Sequence, residues 1–372
     1  MKKVGIITFH NSYNCGSMLE SYAMQKTIQI LGCKPEIIDF SSKGQSELYS
    51  VLVKMHGIKD IIKNVLLLPH YFRIKNNNKL YESFKKRHFI LSEKYSTSFD
   101  IQDLYDVVVA GSDQIWNITI PDYDDAYFLN WVDHSKRVAY APSFGAKNII
   151  SFANDVNKYK HFLERFDCLS VRERNGQKWI MDICGEKAEI VADPTLLLSE
   201  DDYAPLEDLD LPIPKKDYIF FYCPSFDKNI CSFVKKISQK YNLDVVTWST
   251  KSYYLRFVSH FGFTLVKEED PSKYLTYIKN AKLVITTSFH GTIFSTVYHK
   301  NFFTIKNGEM YDNDDRVITL MDQLGLNNRL ISFEFCDDIN YLEDIDYARC
   351  DFLKMNLKEK SINYLQNALV GE

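Results

Sequence analysis

The sequence predicts an α/β protein that contains two Rossmann-like domains. Its 372 residues exceed the size of one ordinary domain and suit two domains of about 150 to 200 residues each. The chain opens in the order strand, loop, helix and strand, which is the unit of a parallel sheet with right-handed crossovers. A second series of strands and helices begins at residue 218. The dinucleotide-binding fingerprint G-x-G-x-x-G does not occur in the sequence.

The first domain is predicted over residues 1–200. A strand over residues 4–9 leads through a polar loop into an amphipathic helix that ends at Gly32, and a second strand covers residues 34–40. Four later segments combine a short apolar strand with polar residues at its end: residues 106–117, 137–145, 168–174 and 188–194. Open α/β sheets bind ligands at the carboxyl ends of their strands, so these polar residues are candidates for a site.

A basic segment lies within the first domain at residues 54–88. It holds nine Lys or Arg residues against two acidic residues, Asp60 and Glu82, and it also contains apolar stretches. This pattern predicts a solvated helical hairpin. The alternative is a peripheral surface that meets anionic lipid or a lipid-linked substrate.

The second domain is predicted over residues 201–345. It begins with a linker at residues 201–216 that is rich in proline and acidic residues. Strands are expected at residues 218–222, 244–248, 283–285 and 302–305, and helices at residues 230–241 and 271–280. Asp270 and Pro271 form a good N-cap and first-turn pair for the second of these helices. Residues 346–372 are expected to form a last helix that crosses back onto the first domain.

The composition excludes several classes of protein. The net charge of −4 gives no support for a nucleic-acid partner. The eight cysteines form no C-x-x-C pair and have no neighbouring histidine at metal-ligand spacing, which predicts free thiols and no metal site. The first residues read directly as a strand, without a signal peptide, and no apolar run reaches the length of a membrane span. These features favour a cytoplasmic protein.

Residues 283–295 are the most informative segment of the chain. A buried strand stops at His290-Gly291, and an apolar helical pattern resumes at Thr292. This arrangement places His290 at a helix start, where unpaired backbone N–H groups and the helix dipole favour an anion. The alternative is that His290 only caps the helix or packs in a half-buried position.

The ordered motifs of the chain resemble those of the polysaccharide pyruvyl transferase family. The matching pieces span roughly residues 4–330 and are Asn14-x-Gly16, residues 107–112, residues 140–145, residues 170–173, Asp193-Pro194, residues 287–291, and Arg316 ahead of Leu324-Gly325-Leu326. The resemblance implies two domains that face a cleft, as in B-type glycosyltransferases, with the acceptor on the first domain and the donor on the second.

The resemblance also implies an activity and its partners. Members move enolpyruvate from phosphoenolpyruvate onto sugar hydroxyls as a ketal, so phosphoenolpyruvate is a donor substrate, and neither a metal nor a cofactor is expected. The acceptor would be a saccharide or a lipid-linked saccharide used for surface polysaccharides such as capsule or exopolysaccharide. The enzyme would then work in the cytoplasm, with the inner face of the membrane as a further location.

The sequence departs from the family pattern at two places. Ser288-Phe289-His290 stands where members usually carry Arg-Leu-His, and the segment after Gly111 is less rich in glycine than usual. The first departure removes a cation that would lie beside the donor. Arg172, Lys306 and Arg316 are the candidate substitutes.

Three residues are predicted to be catalytic. His290 is expected to bind the donor phosphate or to donate a proton. Arg172 is expected to clamp a carboxylate or phosphate; the alternative is a salt bridge with Glu173 or with an acid on an adjoining loop. Asp113 follows a strand and is expected to act as a base or to anchor an acceptor hydroxyl, with structural capping as the alternative.

Further residues are predicted to bind substrate. These are His10, Asn14, Gly16, Gly111, Ser112, Trp116, Ser143, Ser288, Gly291, Thr292, Lys306 and Arg316. Trp116 is expected to stack on a sugar ring, with a place in the core as the alternative. Arg316 is expected to reach the donor, although Asp312, Asp314 and Asp315 offer it ordinary acidic partners.

Two other functions remain open from the sequence. The first is a glycosyltransferase that uses a sugar nucleotide on the same fold, because fold alone does not specify chemistry. The second is a catalytically silent member that binds saccharide, which the missing arginine at Ser288 motivates.

Overall fold

The computed structural model describes residues 1–308 and 314–371. The first parallel sheet has the order β3-β2-β1-β4-β5. The strands of the first half of the chain are β1 (Lys3–Ile7), β2 (Lys34–Phe40), β3 (Leu91–Tyr95), β4 (Val107–Ala110), β5 (Lys136–Ala139), β6 (Ser170–Val171) and β7 (Glu189–Ile190). Strands β6 and β7 pair with each other, and a single bridge between Val138 and Cys168 joins them to β5.

Helices cover the first sheet. They are α1 (Cys15–Ile30), α2 (Lys43–Leu48), α3 (Ile58–Leu67), α4 (Tyr71–His88), α5 (Ile149–Phe152), α6 (Val156–Leu163), α7 (Arg174–Cys184) and α8 (Glu200–Tyr203). The basic segment is helical, as predicted, but it does not fold into the predicted hairpin. Its two helices, α3 and α4, follow one another through a 3-10 turn at Leu68–His70 and do not pack against each other as a pair.

The second half of the chain has the strand order β10-β9-β8-β11-β12-β13. Its strands are β8 (Tyr218–Tyr222), β9 (Asp244–Thr247), β10 (Thr264–Leu265), β11 (Leu283–Thr286), β12 (Phe302–Ile305) and β13 (Leu330–Ile331). Its helices are α9 (Lys228–Tyr241), α10 (Thr250–Leu255), α11 (Pro271–Asn280), α12 (Phe289–Val297), α13 (Arg316–Leu324) and α14 (Ala348–Val370). Numbered within the domain, this is the Rossmann order 3-2-1-4-5-6. The predicted α/β fold with two Rossmann-like domains is confirmed.

The central strands are buried along their whole length and are mostly apolar. All residues of β4, β8, β11 and β12 are buried. A parallel sheet with helices on both faces has no solvated side, so its strands form continuous apolar runs rather than alternating ones. This is why the sequence predicts the bounds of β8 and β12 correctly and those of β11 to within one residue.

The strand order reverses direction at one point in each sheet. In the first sheet β1 pairs with both β2 and β4, and in the second β8 pairs with both β9 and β11. The loops that leave these strands diverge at the reversal and open a crevice at the carboxyl ends. The loops after β1, β4, β8 and β11 contribute residues to one cavity that lies between the domains.

Helix α14 ties the end of the chain to the first domain. The Tyr364 hydroxyl donates to the Ala139 carbonyl at 2.9 Å, and Lys2 Nζ donates to the Leu369 carbonyl at 2.8 Å. The backbone N–H of Ala192 donates to Ser361 Oγ at 2.8 Å. The same helix contacts α13 of the second domain, so it bridges both halves of the molecule.

No helix in the described ranges has the length and apolar character that crossing a bilayer requires.

Candidate active site

The turn from β11 to α12 places the start of a helix at the cavity. Ser288 is the N-cap residue, and its hydroxyl accepts a hydrogen bond from the Gly291 N–H at 3.3 Å. Gly291 packs against Thr286, where an added β-carbon would lie 2.4 Å from Thr286 Oγ1. A larger residue at position 291 would displace the turn, so Gly291 supports the site through close packing.

His290 lies on the first turn of α12 and faces the cavity between the domains. Its side chain is almost buried, and Nε2 has no hydrogen-bond partner. Nε2 lies 3.7 Å from Asp193 Oδ2, which is longer than a hydrogen bond, so the interaction is electrostatic. A buried imidazole nitrogen without a partner is costly unless it serves a ligand or a proton transfer.

Arg172 contacts three carboxylates. Its Nη1 donates to Asp193 Oδ2 at 2.8 Å, whereas Nη2 lies 3.6 Å from Asp113 Oδ1 and Nε lies 3.7 Å from Glu173 Oε2. Its guanidinium also lies over the Phe289 ring at 4.3 Å from the centroid. The salt bridge that the sequence offers as an alternative is therefore present, with Asp193 as the partner. Arg172 nevertheless lines the cavity, and its Nε has no hydrogen-bond partner.

Asp113 projects into the same cavity from the loop after β4. Its backbone is in the left-handed region, with φ of 70°, a conformation that few residues other than glycine adopt. Ser17 Oγ donates to Asp113 Oδ2 at 2.5 Å, and the Gln114 N–H donates to Oδ1 at 2.8 Å. Asp113 therefore has a local structural role and also faces the cavity.

Arg316 brings a second guanidinium to the cavity from the start of α13. It pairs with Asp314 through two hydrogen bonds, Nε to Oδ1 at 2.8 Å and Nη2 to Oδ2 at 2.5 Å. Burial works to lower the pKa of Arg316, but Asp314 outweighs burial and raises it. Of the acidic partners that the sequence offers, Asp312 lies outside the described residues.

The buried carboxylates behave differently from one another. Burial works to raise the pKa of Asp193, but His290 and Arg172 outweigh burial and hold that pKa well below its usual range. Burial raises the pKa of Glu173 to about 7 because the charge of Arg172 offsets only part of the lost solvation. Burial, together with Asp193 and Asp113, raises the pKa of Glu20 well above its usual range. Asp193 is thus the fixed negative charge beside His290.

The structure brings six of the predicted site residues together around a cavity of about 280 Å³: Asn14, Asp113, Arg172, Ser288, His290 and Arg316. Gly16 and Gly291 support this wall, because added β-carbons there would lie 2.3 Å from His290 Nδ1 and 2.4 Å from Thr286 Oγ1. Four further predicted residues, Gly111, Ser112, Ser143 and Thr292, are buried behind it. Ser112 Oγ donates to Asp193 Oδ2 at 2.8 Å and so supports the site indirectly.

Three predicted substrate-binding residues lie elsewhere. Trp116 is fully buried, stacks on Phe128 at 4.9 Å between centroids and donates through Nε1 to the Tyr127 carbonyl, so it is a core residue and cannot stack on a sugar. His10 is also fully buried, and its Nε2 lies 3.1 Å from Asp39 Oδ1, so it belongs to the interior of the first domain. Lys306 does not line the cavity, where the next residue, Asn307, takes that place. These assignments are corrected.

Comparisons with known proteins bear on this geometry. The family model for polysaccharide pyruvyl transferase matches residues 14–309, which include every described residue that lines the cavity except Asp314, Arg316 and Val317. The chain belongs to the polysaccharide pyruvyl transferase family. A search of curated proteins found no significant match.

Solved structures with distant similarity to this pyruvyl transferase family member include three proteins with a bound nucleotide or nucleotide sugar. The S. aureus MnaA-UDP co-structure is 13% identical with a TM-score of 0.49 and covers 99% of this chain and 91% of its own. UDP-GlcNAc 2-epimerase from Neisseria meningitidis bound to UDP-GlcNAc has 10% identity, a TM-score of 0.48 and coverages of 99% and 97%. E. coli heptosyltransferase WaaC with ADP has 11% identity, a TM-score of 0.39 and coverages of 96% and 99%. None of these similarities bears on what this chain binds.

The structure also shows site residues of this family member that sequence reasoning did not assign. Asp193, Glu173 and Ser17 contact the three predicted catalytic residues, and Phe289 lies under Arg172. Asp193 carried a signal, because an acid between a strand and a proline is typical of a cap. Its Oδ1 indeed accepts the Thr195 N–H at 3.0 Å, which leaves Oδ2 for Arg172 and His290. No sequence pattern pointed to Ser17.

A second cavity, of about 360 Å³, adjoins the first. Asn14 and Pro224 line both. Its other walls carry aromatic and polar side chains, among them Tyr13, Tyr49, Tyr81, Tyr222, Trp248, Asn77, Asn78, Lys251 and Glu269. Burial lowers the pKa of Lys251 to about 8. Flat aromatic faces mixed with hydrogen-bonding groups suit a sugar ring.

Proposed function

We propose that the protein transfers enolpyruvate from phosphoenolpyruvate to two hydroxyls of a saccharide and forms a pyruvate ketal. The observation that carries the proposal is the unpartnered Nε2 of His290, which sits at a helix start in a cavity that also presents Arg172 and Arg316. Family membership supports a transferase of this kind. We propose in addition that phosphoenolpyruvate is the donor and that the product is a ketal.

The cavity supplies the groups that a small anionic phosphoester requires. The N-terminus of α12 offers backbone N–H groups and a positive dipole end. Arg172 and Arg316 both line the cavity and each brings a guanidinium to it. These two arginines compensate for Ser288, which stands where the family usually carries a cation.

His290 is placed to donate the proton that starts the reaction. Its Nε2 has no hydrogen-bond partner and lies 3.7 Å from Oδ2 of Asp193, a carboxylate whose pKa is held well below its usual range. Transfer of that proton to the methylene carbon of phosphoenolpyruvate creates a cationic centre at C2, which the first sugar oxygen attacks. The C2–O bond to phosphate then breaks, and the second sugar oxygen attacks C2 and closes the ketal. The two sugar hydroxyls release two protons. One returns to His290, and the other protonates the departing phosphate.

Asp113 is the proposed base for the attacking hydroxyl. It faces His290 from the first domain, and its Oδ2 is positioned by Ser17 at 2.5 Å. The neighbouring aromatic cavity is the proposed acceptor site, because Asn14 lines both cavities and so joins acceptor to donor. Both domains line the acceptor cavity, and the donor phosphate lies against α12 of the second domain.

The experiment is a mass-spectrometric assay of the protein with phosphoenolpyruvate and a panel of saccharides. The expected product is a saccharide heavier by one pyruvate ketal, formed together with an equal amount of inorganic phosphate. His290→Asn should abolish product, whereas His299→Asn, at an exposed histidine far from the cavity, should not. Glycosyl transfer from a sugar nucleotide would favour the rival enzyme, and saccharide binding without turnover would favour the silent member; either outcome would overturn the proposal.

A further inference from the structure

Helix α3 carries its apolar face towards solvent. Along α3 and the start of α4, seven large apolar side chains are exposed: Met55, Ile58, Ile61, Ile62, Val65, Leu68 and Phe72. Six of them recur at intervals of one to four residues along the helices and form one stripe, in which Ile58 is 76% and Phe72 is 82% exposed. A continuous exposed apolar stripe on a folded domain marks an interaction surface.

The fold determines which face of α3 points outward. On the inner face, the Asn64 side chain donates to the Val53 carbonyl at 2.9 Å and accepts from the Val53 N–H at 2.8 Å. Leu67 is completely buried, and α3 contacts α10 of the second domain. The helix is therefore held by its polar and C-terminal contacts, and the apolar stripe faces away from the body of the protein.

Positive charge surrounds the stripe. Residues 54–88 hold nine Lys or Arg and two acidic residues, which leaves a net charge of +7 in a chain whose net charge is −4. Lys59 and Lys63 flank the stripe on α3. Lys75, Lys79 and Lys86 continue the face of Phe72 along α4, at the spacing of successive helical turns. An apolar helix face bordered by lysines is the composition of an interfacial helix on an anionic bilayer.

We propose that this membrane face, defined as the apolar stripe together with Lys59, Lys63, Lys75, Lys79 and Lys86, docks on the surface of a bilayer that contains anionic lipid. Charge complementarity favours this partner over a second copy of the chain, because self-association would bring two strongly positive surfaces together. The stripe enters the boundary between headgroups and acyl chains, and the lysines pair with lipid phosphates.

The membrane face adjoins the proposed acceptor cavity. Phe72 of the stripe is two residues from Ile74, and Ile74, Asn77 and Asn78 of α4 line that cavity. Docking would bring the cavity close to a saccharide whose lipid anchor stays in the bilayer. This assignment of a lipid-linked acceptor rests on the proposed function, whereas docking itself does not.

The test is flotation of the full chain with vesicles of phosphatidylcholine alone or mixed with phosphatidylglycerol. The protein should float with the mixed vesicles, bind less at high salt, and bind phosphatidylcholine vesicles weakly. The double variants Ile61→Asp with Val65→Asp and Lys75→Glu with Lys79→Glu should each reduce binding by at least about tenfold. Phe352→Asp with Met355→Asp, at exposed apolar positions of α14, is the matched control and should bind normally.

The flotation results separate docking on a bilayer from self-association and from the proposed function. Absence of flotation by the wild type, or equal loss in the α14 control, overturns docking. A dimer that the Ile61→Asp, Val65→Asp variant dissociates, without vesicle binding by the wild type, would instead make the face a self-association surface. Ketal formation on a soluble saccharide should be unchanged in the membrane-face variants. Vesicle binding without ketal formation by the wild type would sink the proposed function and leave docking intact.

Discussion

Gly16 of the first domain lies directly against His290 of the second. A β-carbon at residue 16 would come within 2.3 Å of His290 Nδ1 and 2.8 Å of its β-carbon. Gly16 sits on the first turn of α1, where Asn14 caps the helix by accepting the Gly16 N–H at 2.9 Å. The helix start in one domain therefore packs against the imidazole of the other and limits the positions that His290 can adopt.

Gly16→Ala should lower ketal formation much more than it lowers stability. The added methyl displaces the imidazole, and a misplaced catalytic group costs about 100-fold in turnover. Alanine stabilises the α1 helix itself by about 1 kcal/mol relative to glycine, which offsets part of the packing cost of the new contact. Gly57→Ala is the control, because a β-carbon there meets nothing within 4 Å. Equal turnover in the two variants would show that the contact does not position His290.

Arg172→Met should strongly destabilise the fold. It leaves the carboxylate of Asp193 buried without its guanidinium, and breaking a buried pair in this way costs about 3 to 5 kcal/mol. Arg174→Met is the matched control, since the Arg174–Asp322 pair is largely solvated and such pairs contribute about 0 to 1 kcal/mol. Denaturant unfolding of both variants measures the difference. Similar costs at the two positions would mean that Arg172 is not the main counter-charge of Asp193.

Glu173→Gln should remove part of the pH dependence of stability. Burial raises the pKa of Glu173 to about 7, above its value in the unfolded chain, so the folded state holds this proton more tightly than the unfolded state. Protonated Glu173 contributes roughly 3 kcal/mol to the free energy of unfolding. This contribution is fully present below the pKa of the unfolded state and is lost as the pH rises through about 7. As the pH rises from below the unfolded pKa to above about 7, the denaturant midpoint of the wild type should therefore fall more than that of the variant. Parallel pH profiles would contradict this.

Asp113→Asn should lower kcat with little effect on the KM for phosphoenolpyruvate. The amide keeps the shape of the carboxylate but cannot accept a proton from the sugar, and loss of a general base costs about 100- to 10,000-fold. Asp227→Asn, at the N-cap of α9, serves as the control. An unchanged kcat would leave Asp113 with only its structural contacts to Ser17 and Gln114.

The fold was predictable because its signals are local. Continuous apolar runs such as Tyr218–Tyr222 and Phe302–Ile305 identify buried parallel strands, and the Asp270-Pro271 pair marks the start of α11. The short strands β3, β10 and β13 lie at or near the sheet edges, and their sequences lack such runs. The strand predicted at residues 168–174 shortens to Ser170–Val171 because Arg172 and Glu173 turn into the buried charge cluster.

The site was predictable only in part because its contacts are distant in sequence. The strand ends identified His290, Asp113 and Arg172, which the structure does bring together. The partners of these residues are set by tertiary packing: Ser17 is 96 residues from Asp113 along the chain, and Asp193 reaches both Arg172 and His290. Trp116 shows the opposite error, because an aromatic residue after a strand looks the same in sequence whether it faces a ligand or the core.

Calorimetric titration of the purified protein with phosphoenolpyruvate measures whether the cavity beside His290 holds this donor. We expect one phosphoenolpyruvate to bind per chain and inorganic phosphate to compete with it. The affinity should be weaker in Arg172→Lys and His290→Asn, and UDP-sugars should give no heat. Saturable binding of a UDP-sugar, with no binding of phosphoenolpyruvate, would show that the cavity serves a different donor.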